Sequence, residues 1–165
     1  MQQLAILLTA VLVVSATVVV HAFGTYWLIQ FLSRKFADSS GYFKRSKATL
    51  AVVVSATMLL LLHVVEIQIW AVTYLLIEPY EELTSFEAAT YFSFVTFTTL
   101  GYGDITLARE AWRILSGVEA LNGIMLAGWS TALLFAVVQR GWRGFGNDEP
   151  GQRIRTSNAS RADVD

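Results

Sequence analysis

The chain has 165 residues, of which 55% are hydrophobic and only 15% are charged, and its mean hydropathy is positive. Because soluble domains carry about 25% charged residues, this composition indicates a protein whose solvent is a bilayer. The absence of cysteine excludes disulfides, thiolate zinc sites and cysteine nucleophiles. A formal net charge of -1 argues against a nucleic-acid partner, which needs a clustered basic surface. The two histidines, His21 and His63, lie far apart in the sequence, so we expect no metal site from them.

The first apolar stretch predicts an N-terminal transmembrane helix within residues 1–32. It exceeds the ~20 residues that a helix needs to cross the hydrocarbon core. A cleaved signal peptide is the alternative, but Met1, Gln2 and Gln3 carry no positive side chain and the apolar run is about twice the usual length. We therefore expect a retained helix.

Basic residues define a loop over 33–47 and recur in the tail over 141–165, which begins just after Arg140. With Arg140 included, these segments hold ten of the twelve lysines and arginines. Because basic residues beside short loops stay cytoplasmic, both segments are predicted inside and the N-terminus outside. The polar composition of the tail predicts that it is mostly disordered. Apolar stretches over 48–77 and 111–138 predict two further transmembrane helices.

Between these two helices, the segment 84–97 is apolar and aromatic but only about 14 residues long, which is too short to cross a membrane. Such a length suits a re-entrant helix whose irregular continuation is covered by protein or lines a water-filled cavity. Thr84 or Ser85 is expected to cap its start, and Glu87 in the first turn is favoured by the helix dipole.

The segment 98–104 reads Thr-Thr-Leu-Gly-Tyr-Gly-Asp. Glycines at 101 and 103 permit a backbone that turns successive carbonyl oxygens toward one axis. Carbonyls from four chains replace the water shell of a potassium ion in a narrow pore, so one chain supplies one quarter of such a site. Tyr102 is expected to point away from the axis and pack on the short helix, whose C-terminal end favours a cation. The predicted K+ ligands are Thr99, Leu100, Gly101, Tyr102 and Gly103, with Thr99 adding its hydroxyl.

Polar side chains inside the predicted spans form a second candidate site, because such groups are costly in hydrocarbon without partners. His63 and Glu66 share a helix face, and Glu66 and Glu119 lie at similar depth, so we expect them to meet behind the 98–104 segment. A structural network and a proton-sensing role are both open. The candidate cluster is His63, Glu66, Glu119 and Asn122.

On the third long helix, four residues fall three or four positions apart and form one stripe. We predict that this stripe lines an inner cavity, and that rings of Phe135 close it by dewetting. Ordinary helix packing is the alternative. The stripe comprises Ile124, Ala127, Thr131 and Phe135.

The stretch from about 48 to 138 resembles the pore domain of bacterial-type tetrameric potassium channels, in which outer helix, pore helix, selectivity filter and inner helix follow in this order. The 98–104 segment matches the family filter except at Leu100, where valine or isoleucine is usual. The resemblance implies a pore domain over 48–140, with outer helix 48–77, pore helix 84–97, filter 98–104 and inner helix 111–138.

The resemblance also implies roles for residues around the filter. Tyr91 stands where the family often carries a tryptophan, so a hydrogen bond from Tyr91 to Asp104 is expected to support the filter together with Thr98. Gly123 stands at the spacing of the family's gating hinge, and close packing of helices is the other reason for a glycine there.

We therefore predict an all-α membrane protein with three transmembrane helices plus a re-entrant pore helix and filter, assembled as a homotetramer in lipid. The predicted function is passive conduction of K+, the permeant ion, across a bacterial-type cell membrane, and not an enzymatic activity. A weakly selective cation channel, a non-conducting subunit and an alternating-access carrier are the alternatives. A carrier usually shows internal repeats and paired broken helices, which this sequence lacks.

Overall fold

The computed structural model describes residues 2–37, 43, 45–77, 83, 85–107 and 109–146. The secondary-structure elements of this part of the chain are all helices, as predicted, apart from an isolated bridge between Ala37 and Phe43. Part of the predicted basic loop, Thr84 and most of the predicted disordered tail lie outside the described residues. The helices are α1 (Gln2–Phe36), α2 (Arg45–Ile77), α3 (Phe86–Phe97) and α4 (Glu110–Gly146).

Within the described part of the chain, three helices are long and apolar enough to cross a membrane: Gln3–Phe36, Lys47–Ile77 and Glu110–Gly141. At about 1.5 Å per residue, each is longer than the ~30 Å hydrocarbon core. α1 continues past 32, the end of its predicted span, because Arg34 and Lys35 form its last turn, where cations favour the helix dipole. The prediction of three membrane-spanning helices is confirmed.

α1 packs against α2 and α4 along one face. The buried residues of this face recur every three or four positions, which is the spacing of one side of a helix. The opposite face is apolar and exposed, as at Trp27, which suits contact with lipid. The buried face comprises Ile6, Ala10, Val13, Thr17, His21, Thr25, Leu28 and Leu32.

α3 is the short helix, and it lies between α2 and α4. Its N-cap is Ser85, whose hydroxyl accepts a hydrogen bond from the Ala88 N–H at 3.1 Å, and Glu87 stands in the first turn. Ser85 is thus the capping residue among those described. With 12 residues, α3 is about 18 Å long and does not span a bilayer. It ends at Phe97, directly before the 98–104 segment.

Candidate ion-binding loop and its surroundings

The loop 98–103 has a backbone in which the sign of φ alternates. Thr98 has φ -80 and ψ 0, whereas Thr99, Gly101 and Gly103 have φ of 60, 58 and 77. In an ordinary strand successive carbonyls point to opposite sides. Alternation between right-handed and left-handed conformations instead lines up successive N–H groups on one side and turns the carbonyls to the other. This loop can therefore present a row of carbonyl oxygens along one face.

Thr99 is the only non-glycine residue in the described part of the chain with a positive φ. For a β-branched side chain this conformation is unusual, and such strain costs on the order of 1–3 kcal/mol. Sequence reasoning assigned the unusual dihedrals to the two glycines and missed this residue. Strain of this kind is typical of functional sites, where the surroundings fix the backbone.

Hydrogen bonds to the last turn of α3 hold the loop. The Thr99 N–H donates to Thr96 O at 2.9 Å, and the N–H groups of Leu100 and Gly101 both donate to Val95 O, at 2.9 and 3.2 Å. Carbonyls at a helix C-terminus otherwise lack intrahelical partners. These bonds use the loop's N–H groups and the carbonyls of α3, so they leave the loop's own carbonyl oxygens available.

The far end of the loop is tied to α3 by a side-chain bond. The Tyr91 hydroxyl donates to Asp104 Oδ2 at 2.6 Å, which is the hydrogen bond expected from the sequence. This bond, together with the N–H groups of Asp104 and Ile105, holds the pKa of the Asp104 carboxyl below its ordinary value. At neutral pH Asp104 is therefore an anion that accepts these donors.

The whole loop is exposed on the single chain, and its two large side chains, Leu100 and Tyr102, are 56% and 67% exposed. The single chain therefore does not show the expected packing of the Tyr102 ring on its own α3. Large apolar side chains exposed together are typical of a surface that another protein surface covers.

Gly123 marks a close approach of α4 to the end of α3. A Cβ atom at this position would lie 2.0 Å from the carbonyl oxygen of Phe97, which is a backbone atom. No side chain fits there without movement of the chain that leads into the loop. Of the two hypotheses for Gly123, a hinge and close packing, this contact favours close packing. α4 continues through Gly123 as an uninterrupted helix.

The predicted cavity stripe is exposed on the single chain. Its upper members, Ile124 and Ala127, line a groove of about 460 Å³ together with Thr98 and Thr99. Phe135, at the other end, is 60% exposed. The stripe and the beginning of the loop thus share one side of the molecule, and the lining of a pore by this stripe stays a prediction.

The predicted meeting of Glu66 with Glu119 is wrong. Glu66 instead contacts two imidazoles, His21 Nδ1 at 2.7 Å and His63 Nδ1 at 2.8 Å. Glu119 accepts a hydrogen bond from the Tyr74 hydroxyl at 2.7 Å. α1 supplies the partner that sequence reasoning sought on α4, because its polar residues face inward.

The same face of α1 explains two other results. Asn122 donates to the Thr17 hydroxyl at 2.8 Å, so its partner is also on α1. The two histidines, predicted to be too far apart for a shared site, stack with ring centroids 5.4 Å apart. Polar residues four positions apart in an otherwise apolar span, Thr17, His21 and Thr25, were the signal that could have predicted this face.

Comparison with known proteins gives one similarity, which covers the loop. Residues 60–140 match the family model described as ion channel. The matched range includes most of α2, all of α3, the loop and most of α4. No curated protein and no solved structure matches the chain. The family match supports an ion-channel function for this part of the molecule.

Proposed function

We propose that this chain is one subunit of a homotetrameric, potassium-selective channel that conducts K+ passively across a membrane. The observation that carries the proposal is the alternating backbone of residues 98–103, with positive φ at Thr99, Gly101 and Gly103. A row of carbonyls on one face is the ligand type that replaces the hydration shell of K+.

The proposed ligands are the carbonyl oxygens of residues 99–103 and the Thr99 hydroxyl. One row surrounds no ion, so the proposal requires four chains around one axis. The exposure of Leu100 and Tyr102 fits this requirement, since neighbouring chains would cover them. The strain at Thr99 fits it as well, because a bound cation would offset the cost of holding its carbonyl in place.

In the assembled channel, the groove beside Thr98 and Thr99 opens toward the cytoplasmic cavity, and the stripe that ends at Phe135 lines that cavity. We place the N-terminus outside and the tail inside, from the distribution of basic residues.

A weakly selective cation channel is the second candidate, and Leu100 is the observation that favours it, because its carbonyl would be a ligand and its side chain differs from the valine or isoleucine usual in similar channels. Reversal potentials in mixed K+ and Na+ distinguish the two candidates.

The test is permeability of the purified, reconstituted protein and of two variants, Gly101→Ala and Gly103→Ala. A Cβ at either position meets no atom of the same chain within 4 Å, so the effect arises from the positive φ. Because L residues disfavour that region, the carbonyls should turn away and K+ over Na+ selectivity should fall at least ~10-fold.

Gly117→Ala is the matched control, since it has neither a positive φ nor a neighbour within 4 Å. It should leave selectivity unchanged. Potassium should also raise the melting temperature of the tetramer relative to sodium, because a ligand bound only by the assembled state stabilises it. Unaltered selectivity in both loop variants would refute the proposal.

A further inference from the structure

Three buried side chains, His21, Glu66 and Ser130, and the partly buried His63 form a polar ring inside the membrane-spanning part of the molecule. Glu66 contacts Nδ1 of both imidazoles, at 2.7 Å for His21 and 2.8 Å for His63. Ser130 contacts the opposite nitrogen of both imidazoles, Nε2 of His63 at 3.0 Å and Nε2 of His21 at 3.5 Å. We call this set, His21, His63, Glu66 and Ser130, the histidine ring.

Counting hydrogen-bond donors shows what the histidine ring lacks. An ionised carboxylate only accepts, so each histidine donates to Glu66 from Nδ1, and a neutral histidine then offers Nε2 only as an acceptor. The Ser130 hydroxyl has one hydrogen and can satisfy one of the two Nε2 atoms. With both histidines neutral, one Nε2 remains unpaired.

Charge leads to the same conclusion as the hydrogen bonds. With neutral histidines the ring has a net charge of -1, carried by Glu66, whose side chain is fully buried, as is that of His21. A buried charge without a counter-charge is strongly disfavoured. One added proton makes the ring neutral and lets the second Nε2 donate to Ser130. The proton count is the same whether this proton lies on a ring nitrogen or on the carboxyl.

We propose that the histidine ring is a binding site for one proton, which it holds across the physiological pH range and which fixes α1 to α2 and α4. Fewer protons leave a buried negative charge, and a second proton creates a buried positive charge. Either departure from one proton thus places a net charge among buried groups, which is the physical reason for expecting a single bound proton.

Among the described side chains that contact the ring, none carries a further charge that could balance Glu66, and His63 also lines the groove beside Thr98 and Thr99. α1 contributes His21, and α2 contributes His63 and Glu66 itself. The described contacts from the other two helices are non-titrating: Ser130, the edge of the Trp129 ring on His21 at 5.2 Å, and the Phe97 ring beside His63 at 5.9 Å.

The other buried carboxyl among the described residues is Glu119, which bonds to Tyr74. It lies 11 residues before Ser130 on α4, about 16 Å along the helix. It is therefore not a member of the histidine ring.

A divalent metal is the competing occupant, because His21, His63 and Glu66 bring ligand atoms within 4.8 Å of one another. The distances favour a proton. Two ligands of one tetrahedral zinc ion at ~2.0–2.1 Å lie roughly 3.3 Å apart. The two carboxylate–imidazole distances, 2.7 and 2.8 Å, are those of hydrogen bonds.

The chain has only two histidines, so nuclear magnetic resonance of histidine nitrogens reports on this ring alone. We would label histidine with 15N and the glutamate carboxyls with 13C in full-length protein in lipid nanodiscs, and titrate from about pH 5.5 to 8. The expected result is one proton per chain in excess of those on two neutral histidines and an ionised Glu66, constant over this range. This readout needs no conduction, so it stands or falls separately from the proposed channel function.

Variants sharpen the test. Glu66→Gln removes the negative charge, so the excess proton should be absent at pH 7.5. Ser130→Ala keeps the charge but removes the hydroxyl between the two Nε2 atoms, so the pH range over which the ring holds one proton should narrow. This variant provides the test if Glu66→Gln fails to fold. Glu119→Gln is the matched control and should titrate like the parent.

Three results would overturn the proposal. One is uptake of two protons over the titration, as by free imidazoles, and another is no excess proton at pH 5.5. The third is displacement of both Nε2 signals by equimolar Zn2+ at neutral pH, which would make the ring a metal site.

Discussion

The loop 98–103 and the histidine ring are each proposed to hold a cation, a potassium ion in the loop and a proton in the ring, but by opposite means. The loop is contiguous in sequence, exposed on the single chain, and relies on its backbone. The histidine ring is mostly buried, spans 109 positions of sequence, and relies on side chains. The difference predicts which substitutions each region tolerates. The loop should respond to changes in dihedral angle, and buried polar groups should respond to the loss of one partner.

The largest expected effect comes from Gly123→Ala, which acts on the loop through the backbone below it. The new methyl group would lie 2.0 Å from Phe97 O, so α4 or the end of α3 must move. Overpacking of this kind costs about 3 kcal/mol. Denaturant unfolding in detergent should show this loss, and ion flux should fall with it.

Gly128→Ala is the control for this experiment, because a Cβ at Gly128 meets nothing within 4 Å of the same chain. It should be neutral or gain up to about 1 kcal/mol from helix propensity. Equal destabilisation by both changes would show that the Phe97 contact is not the cause.

A smaller loss of stability is expected when the buried hydrogen bond between Tyr74 and Glu119 is broken. This change tests the expectation that buried polar groups respond to the loss of one partner. Glu119→Leu keeps the approximate volume but leaves the Tyr74 hydroxyl without an acceptor, at about 2 kcal/mol. Adding Tyr74→Phe removes the stranded group and should recover most of the loss. A double-mutant cycle of unfolding free energies measures this coupling, and simple additivity of the two changes would contradict it.

Tyr91→Phe tests the bond that ties the loop to α3. The folded pKa of Asp104 is lowered mainly by the Tyr91 hydroxyl, so its stabilisation is present above the unfolded pKa and is lost as pH falls through the folded value. Without the hydroxyl, the pKa of Asp104 should rise and the loop should lose conduction at a less acidic pH. Flux against external pH measures this shift.

Asp104→Asn is the matched variant for Tyr91→Phe, because it keeps an oxygen that accepts from Tyr91 but cannot titrate. The acid response of this site should disappear. If Tyr91→Phe and the parent lose flux at the same pH, the bond does not support the loop.

The smallest effect is expected from Leu100→Val. The side chain changes, but the carbonyl and the negative φ remain, and valine is usual at this position in similar channels. K+ over Na+ permeability should persist or improve. A large loss of selectivity would mean that the Leu100 side chain, and not only the backbone, shapes the loop.

The same contrast explains how much the sequence could predict. Three apolar stretches of sufficient length were enough to identify the membrane-spanning helices. The loop was recognisable because all its residues are adjacent. Even there, the positive φ of Thr99 was missed, since a β-branched residue gives no sign that it adopts that conformation.

The buried polar contacts were harder to predict because their partners are 45 and 105 positions apart. Glu66 and Glu119 were expected to meet because they lie at similar depth in the membrane. Depth, however, does not determine which face of a helix packs against which neighbour. α1 was treated as an additional helix without a polar role, so its histidine was not considered as a partner.

The inward face of α1 has a consequence for biogenesis. Glu66 and His63 enter the membrane on α2, and their partner His21 lies on the helix that precedes α2 in synthesis. α1 and α2 can therefore insert as a pair in which the carboxylate already has an imidazole beside it. A pore unit that began at α2 would keep His63 beside Glu66 but would lack His21, so one oxygen of the carboxylate would lose its partner. We therefore expect the smallest part of this chain that inserts and folds on its own to include α1 and thus three long helices.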